Sequence, residues 1–137
     1  MIVTVKRFKE IVANCPEGWT VVFRKWEHMD GTPRFNGYKG LPNIVDLRII
    51  DSAKRINDID GKTVFIFTFE ENDDDRTEMK SEEVFKMFCE GKNDDDMIDC
   101  RLEIEEIPGH FVQIPMKPSA GDKGWSDKQV IIDFDEE

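Results

Sequence analysis

Residues 62–69 read KTVFIFTF, and the middle of this run is apolar without a break. Val64, Phe65, Ile66 and Phe67 lack the polar alternation of a strand that has one face in water. Such a run of β-branched and aromatic residues is typical of a central strand that is covered on both faces. Asp60-Gly61, just before it, is a two-residue turn signal. We therefore predict a central strand over residues 62–69.

The other elements follow from periodicity and turn signals. Val5, Phe8 and Ile11 recur at helical spacing after Thr4, a residue type that caps helices, and Ser81 can cap a second helix. Residues 51–58 are mixed in character, and residues 115–127 are rich in Pro, Gly, Ser and Lys, which predicts a loop. The predicted helices cover residues 4–15 and 81–90; the predicted strands cover residues 19–27, 43–50, 62–69, 97–107, 110–114 and 128–134.

The order and linkage of these elements predict the fold class. Short turns such as Pro108-Gly109 connect neighbouring strands, which favours antiparallel pairing. A chain of 137 residues is the usual size of one domain, and no linker divides it. We predict a single α+β domain over residues 1–137, with a mostly antiparallel sheet of about six strands and two helices.

Charge is distributed unevenly along the chain. The formal net charge is −11, and residues 70–106 alone hold sixteen acids and five bases. Residues 1–69 have a net charge of +3, and residues 107–137 have a net charge of −3. The protein is therefore predicted to be a nearly neutral body with one acidic flank, which we define as residues 70–106.

This charge balance restricts the partners. A net charge of −11 repels both nucleic acid and anionic membrane surfaces, and it favours a basic protein surface. No apolar segment approaches the ~20 residues of a membrane span, and no apolar h-region follows the early charges. Three cysteines without a CxxC motif suit reduced thiols. We expect a cytoplasmic protein that contacts neither membrane nor nucleic acid directly.

The acidic flank is the candidate binding surface. Outward residues two apart on a strand lie about 6.5–7 Å from each other, close to the spacing of phosphates along one nucleic-acid strand. Glu103 and Glu105 have this relation on the predicted strand over 97–107. We assign no catalytic residue, metal ligand or cofactor. The predicted partner-binding carboxylates are Asp73, Asp74, Asp75, Glu82, Glu83, Glu90, Asp94, Asp95, Asp96, Glu103 and Glu105.

These features favour a non-enzymatic inhibitor that occupies the basic, nucleic-acid-binding surface of a partner protein. A dense row of carboxylates can compete with a polyanion for a groove lined by Lys and Arg. In its charge distribution the sequence is similar in kind to the acidic nucleic-acid mimics that phages use against restriction and CRISPR systems. The likeness rests on charge distribution and on no motif.

Two other functions remain open from the sequence. Asp51, followed by Asp60-Gly61-Lys62, has the order of a Mg²⁺-dependent nuclease or phosphodiesterase site, in which carboxylates hold the metal and a lysine stabilises charge. An accessory subunit is the other alternative. It would dock through a hairpin over residues 35–38, where Asn36-Gly37 is a strong turn signal between Phe35 and Tyr38.

Overall fold

The computed structural model describes residues 2–13, 18–27, 43–71, 79–118, 122–123 and 128–136. These residues form two short helices and nine strands, so the predicted α+β class is confirmed. The helices are α1 (Val5–Val12) and α2 (Ser81–Phe88). The strands are β1 (Val3–Thr4), β2 (Thr20–Glu27), β3 (Asn43–Ile56), β4 (Thr63–Glu71), β5 (Met79–Lys80), β6 (Met97–Ile107), β7 (His110–Pro118), β8 (Asp122–Lys123) and β9 (Gln129–Glu136).

The six long strands pair in a closed ring. The order is β2-β3-β4-β6-β7-β9, and β9 pairs back with β2. The β4–β6 and β2–β9 pairs are parallel, and the other four pairs of the ring are antiparallel. The predicted mostly antiparallel sheet is therefore confirmed. The short strands β1, β5 and β8 add to β6, β2 and β9.

β4 is the central strand that the sequence predicts. It pairs with β3 on one side and with β6 on the other. Side chains on both of its faces are buried, with Val64 on one face and Phe67 and Phe69 on the other. Phe69 lies 5.0 Å from Phe134 of β9 and 5.3 Å from Phe23 of β2, centroid to centroid, inside the closed sheet. The unbroken apolar run thus reflects burial on two faces.

The two helices cover one end of the closed sheet. The Thr4 hydroxyl accepts a hydrogen bond from the Arg7 amide (3.1 Å), which confirms Thr4 as the cap of α1. Phe8 of α1 stacks on Phe88 of α2 with 4.4 Å between centroids, and Phe88 lies 4.1 Å from Phe67 of β4. The helices are thereby joined to the main core, and we call this end of the sheet the helix end.

The predicted role of Ser81 is wrong. Lys80 is the capping residue of α2, no side-chain hydrogen bond caps this helix, and Ser81 is its first residue. Ser81 is buried, and its amide donates to the Trp19 carbonyl (2.9 Å). α2 therefore begins where a backbone contact with the segment before β2 fixes it. It ends at Phe88, two residues before the predicted end, and Gly91 follows with φ +73°.

Two strands are longer than predicted. β3 continues through the mixed residues 51–56, because these residues pair with Thr63–Thr68 of β4 after an irregularity in register at Ile50. β7 continues to Pro118, and Asp122–Lys123 form β8, so the predicted loop over residues 115–127 is wrong in these parts. Both extensions form because their residues pair with a neighbouring strand. The composition of a segment does not reveal such pairing.

Two strand pairs extend as arms at opposite ends of the sheet. The first arm, residues 50–66, turns at Gly61 (φ +71°); the second arm, residues 103–113, turns at Gly109 (φ +79°). Because β4 and β6 are parallel, a turn before β4 and a turn after β6 lie at opposite ends. At the base of the first arm, the Lys92 ammonium lies 4.7 Å from the Phe65 ring centroid and donates to the Met87 carbonyl (2.7 Å).

Candidate functional site

The structure divides the predicted acidic surface into two groups. Glu82, Glu83 and Glu90 lie on or directly after α2, and residues 94–96 form the turn that leads into β6, all at the helix end. Glu103 and Glu105 lie on the second arm. At about 3.3 Å per residue, the seven positions between residues 96 and 103 separate the two groups by ~23 Å. The remaining three predicted residues, Asp73, Asp74 and Asp75, lie outside the described part of the chain.

The acidic turn also has a structural role. The Asp96 carbonyl accepts from the Val5 amide (2.8 Å), and the Asp94 carbonyl accepts from the Lys6 amide (3.0 Å). The first amides of a helix have no partner within the helix, so this turn satisfies two of those of α1. The Asp96 carboxylate accepts from the Asn93 amide (3.0 Å) and closes the turn itself. Asp94 and Asp96 therefore help to hold α1 against the start of β6.

Asp94 forms an ion pair with a residue of the first helix. Its carboxylate Oδ1 lies 2.7 Å from Nζ of Lys9, and both side chains are exposed. The hydrogen bond from Lys9, with its positive charge, lowers the pKa of Asp94, and the same hydrogen bond raises the pKa of Lys9. The negative charge of Asp94 is thus compensated locally.

The other carboxylates at the helix end have less compensation. Glu82 accepts a hydrogen bond from the Gly18 amide (2.5 Å). Glu83, Glu90 and Asp95 are exposed, and none of them forms an ion pair with another residue of the described ranges. A groove of about 800 Å³ between α1 and α2 is lined by Glu82 and Glu90 but also by Lys9 and Lys86. The helix end therefore presents charges of both signs.

The Asp, Glu, Lys and Arg residues of the second arm are all glutamates, and they lie on its β6 strand. Residues 103–113 include three glutamates and one histidine and contain neither lysine nor arginine. Glu105 accepts a hydrogen bond from the Gly109 amide (2.9 Å) and so supports the turn of the arm. Glu103 lies half-buried opposite Gln113 and forms no ion pair with another described residue.

The nearest base along β6 is already engaged. Arg101 donates to the Asp99 carboxylate from Nη2 (2.7 Å) and Nε (3.0 Å), and from Nη1 to Oε1 of Gln113 (3.2 Å). The sequence pattern predicts that Asp99 faces water, and this is wrong, because the residue is buried with its charge matched by Arg101. Arg101 is thus engaged by Asp99 and Gln113 rather than by Glu103 or Glu105.

The structure adds three exposed residues to the second arm. The register of β6 against β7 shifts between Glu105 and Ile107, which leaves Glu106 as an extra residue in β6. Ile107 and Phe111 next to it are 61% and 56% exposed. Strict alternation along a strand would place two adjacent glutamates on opposite faces. In the structure the register is irregular at this point, and Glu105 and Glu106 are both exposed.

The residues of the nuclease hypothesis do not come together. Asp60 and Lys62 lie in the turn of the first arm, where the Asp60 carboxylate accepts from the Lys62 amide (3.0 Å). Asp51 pairs opposite Thr68, five residue positions along β3 from Ile56 at the base of that turn. Five positions correspond to ~17 Å, too far for a shared metal ion. Within the described ranges, no three His, Cys, Asp or Glu side chains are placed to hold a metal together.

The two cysteines among the described residues are buried thiols. Cys89 and Cys100 are free and buried, and Cys15 lies outside the described residues. The predicted docking hairpin over residues 35–38 also lies outside them. Burial raises the pKa of Cys89 to about 11 and also raises the pKa of Cys100. Both are therefore protonated near neutral pH, where a thiol is a poor nucleophile.

Comparison with known proteins identifies no relative. No family model, no curated protein and no solved structure matches the chain. In the part of the chain that the structure describes, neither helix is long and apolar enough to cross a membrane.

Proposed function

We propose that the protein is a non-enzymatic inhibitor that occupies the basic, nucleic-acid-binding surface of a partner protein. One observation carries the proposal. Eight of the predicted site residues lie in described ranges, and only Asp94 among them forms an ion pair with a described lysine or arginine. The other seven are Glu82, Glu83, Glu90, Asp95, Asp96, Glu103 and Glu105.

The second arm is the part of this surface best suited to enter a groove. Among the described strands, its strands pair only with each other over residues 103–113, because the β4 pairing ends at Leu102 and the β9 pairing begins at Met116. Glu103, Glu105 and Glu106 supply negative charge along the arm, and exposed Ile107 and Phe111 supply apolar contact area at its end. Aromatic contacts at the centre of an interface often contribute much of its affinity.

The separation of the two acidic groups determines how they act. The ~23 Å between them exceeds the Debye length of about 8 Å at physiological ionic strength, so each group is largely screened from the other. A partner therefore gains from both groups only if its basic groove spans that distance. Such a complex associates faster at low salt, because long-range attraction steers the encounter.

The proposal also includes a cytoplasmic location for the protein. Reduced thiols at Cys89 and Cys100 fit that compartment.

Three matched double variants test the proposal, each removing two negative charges from one region. Glu103→Gln/Glu105→Gln changes the second arm, Glu83→Gln/Glu90→Gln changes the helix end, and Asp58→Asn/Asp60→Asn is the control in the first arm. Each immobilised protein is used to capture proteins from a bacterial lysate at two salt concentrations. Bound proteins are then eluted with short duplex DNA or RNA and identified by mass spectrometry.

We expect the wild type and the first-arm control to retain nucleic-acid-binding proteins that the nucleic acid elutes. The second-arm variant should retain at least about tenfold less, and higher salt should weaken retention by the wild type. If nucleic acid elutes nothing, or if all three variants capture the same proteins as the wild type, the proposed function is wrong.

A further inference from the structure

β3 has a long edge that no described strand covers. β2 pairs with β3 only along Asn43–Leu47, and on that same side residues 48–56 have no partner among the described strands. Every residue from Ile50 to Ile56 is exposed, and no described strand pairs with this segment on the side away from β4. An edge strand presents unpaired backbone amides and carbonyls, to which another strand can add.

The side chains along this edge combine exposed apolar residues with charges of both signs. Ile50 and Ile56 are 41% and 68% exposed. Asp51 and Arg55 lie on one face of the strand but form no ion pair or side-chain hydrogen bond with another described residue. Natural sheets often protect an edge with charged residues, a bulge or proline; this edge has Lys54 and an irregular register at Ile50 but no proline, and its charges are of both signs.

The sequence of the edge is complementary to itself. In an antiparallel pair of two copies centred on Ala53, Asp51 of each copy lies opposite Arg55 of the other. In the same register, Ile50 of each copy lies opposite Ile56 of the other, and each of these contacts occurs twice because of the twofold symmetry. Opposite charges and matched apolar residues in directly opposed positions stabilise an antiparallel pair. We propose that two copies of this chain associate through residues 50–56 of β3 in this register.

The local charge around this edge is balanced, so it opposes contact between two copies less than an acidic surface would. Two copies that each carry a net charge of −11 repel one another, most strongly where their acidic residues meet. The first arm contains three acids and three bases, and it lies at the opposite end of the sheet from the second arm. Pairing through β3 therefore keeps the two acidic second arms apart and leaves both accessible. The inference is independent of the proposed function.

Charge reversal tests the register. Analytical ultracentrifugation of the wild type, from about 1 μM to about 1 mM, should show a monomer–dimer equilibrium. Arg55→Asp places two aspartates opposite each other at both symmetric positions, and Asp51→Arg places two arginines there. We expect each single variant to weaken dimerisation at least about tenfold. The double variant Asp51→Arg/Arg55→Asp restores both pairs with their charges exchanged, so its dimerisation constant should return to within about threefold of the wild type.

Ile56→Lys is a second variant at the same interface and should also weaken the dimer, since two lysines would replace the apolar contacts with Ile50. Circular dichroism shows whether each variant folds. A wild type that stays monomeric over the whole range overturns the proposal. So does a dimer that neither charge reversal nor Ile56→Lys weakens, or one that the exchanged pair fails to restore.

Discussion

The two arms are built alike but differ in charge and in support. Each is an antiparallel strand pair that turns at a glycine with positive φ, Gly61 in the first arm and Gly109 in the second. The first arm balances three acids with three bases, whereas the second has three acids and no lysine or arginine. The β4 strand of the first arm is also paired with β6, while the second arm has no neighbouring strand along residues 103–113 among the described strands.

This difference shows that the same backbone construction can present two kinds of surface. In the proposed dimer, balanced charge and an edge without a partner among the described strands suit the first arm to a second copy of the chain. In the proposed function, unbalanced charge and an exposed aromatic residue suit the second arm to a basic partner. The backbone geometry thus defines where contacts can form, and side-chain charge selects between partners.

The largest expected effect is the difference in unfolding free energy between a substitution at the base of an arm and one at its exposed end. Phe67, at the base of the first arm, is buried and lies 4.1 Å from Phe88. Phe67→Ala should lower the free energy of unfolding by about 3–5 kcal/mol, because it removes contacts and leaves a cavity. Phe111→Ala, on the exposed part of the second arm, should lower it by less than about 1 kcal/mol. Urea denaturation measures both, and similar losses would contradict the distinction between base and end.

The arms should also differ in local opening. Amides of β4 near Phe67 belong to a strand that is paired on both sides, whereas Ile104 and Val112, as far as the described strands extend, pair only with each other. Hydrogen exchange in the second arm should be at least about tenfold faster, which corresponds to about 1.4 kcal/mol less opening free energy. NMR-detected exchange at neutral pH measures the difference. Equal protection in both places would show that the second arm is supported by contacts other than strand pairing.

Substitution of the turn glycine should cost a similar amount of stability in both arms. Gly61 and Gly109 have φ of +71° and +79°, and a Cβ atom at either position would meet no atom within 4 Å. Gly61→Ala and Gly109→Ala should therefore each cost about 1 kcal/mol of stability, through backbone strain alone. Asn tolerates this conformation better, so Gly→Asn at the same positions should cost less in thermal denaturation. A much larger loss in one arm would reveal an unequal role of its turn.

The smallest expected effect is a change in the pH dependence of stability, which compares Asp94 at the helix end with Glu103 in the second arm. Lys9 holds the pKa of Asp94 below its ordinary value of 3.8, so the pair stabilises the fold above that pH. This contribution is lost as the pH falls through the lower pKa of the folded state. Asp94→Asn should thus reduce the loss of stability between about pH 5 and pH 2, as followed by urea denaturation. Glu103→Gln, which removes a charge without an ion pair, is the control and should leave the pH dependence closer to that of the wild type.

Local patterns predicted much of the fold. The apolar run over residues 62–69 predicted a central strand, and the spacing of Val5, Phe8 and Ile11 predicted the buried face of α1; both are confirmed. The closed ring was not predictable in this way, because it depends on the β2–β9 and β4–β6 pairs between distant segments. The extension of β3 to Ile56 was missed because its residues are polar and exposed, and pairing alone defines that strand.

The candidate site was predictable in composition but less so in arrangement. The sequence identified the acids, and most of those described are exposed. It could not show that Lys9 would reach Asp94 across 85 residues of chain, nor that Asp99 would be buried against Arg101. Glu106 was omitted because the irregular register at the end of β6 has no marker in the sequence. The partner-binding role of the acids stays a prediction.

The parallel pair of β2 and β9 has a consequence for biosynthesis. Thr20 is aligned with Gln129, so more than a hundred residues must be translated after β2 before its neighbour exists. At about 5–20 residues per second, the nascent chain waits roughly 5–20 s for that neighbour. During this interval Val21 and Phe23, which are buried in the finished protein, have no β9 to cover them. Until then these apolar side chains remain open to contact with other apolar surfaces, the kind of exposure that chaperones counter.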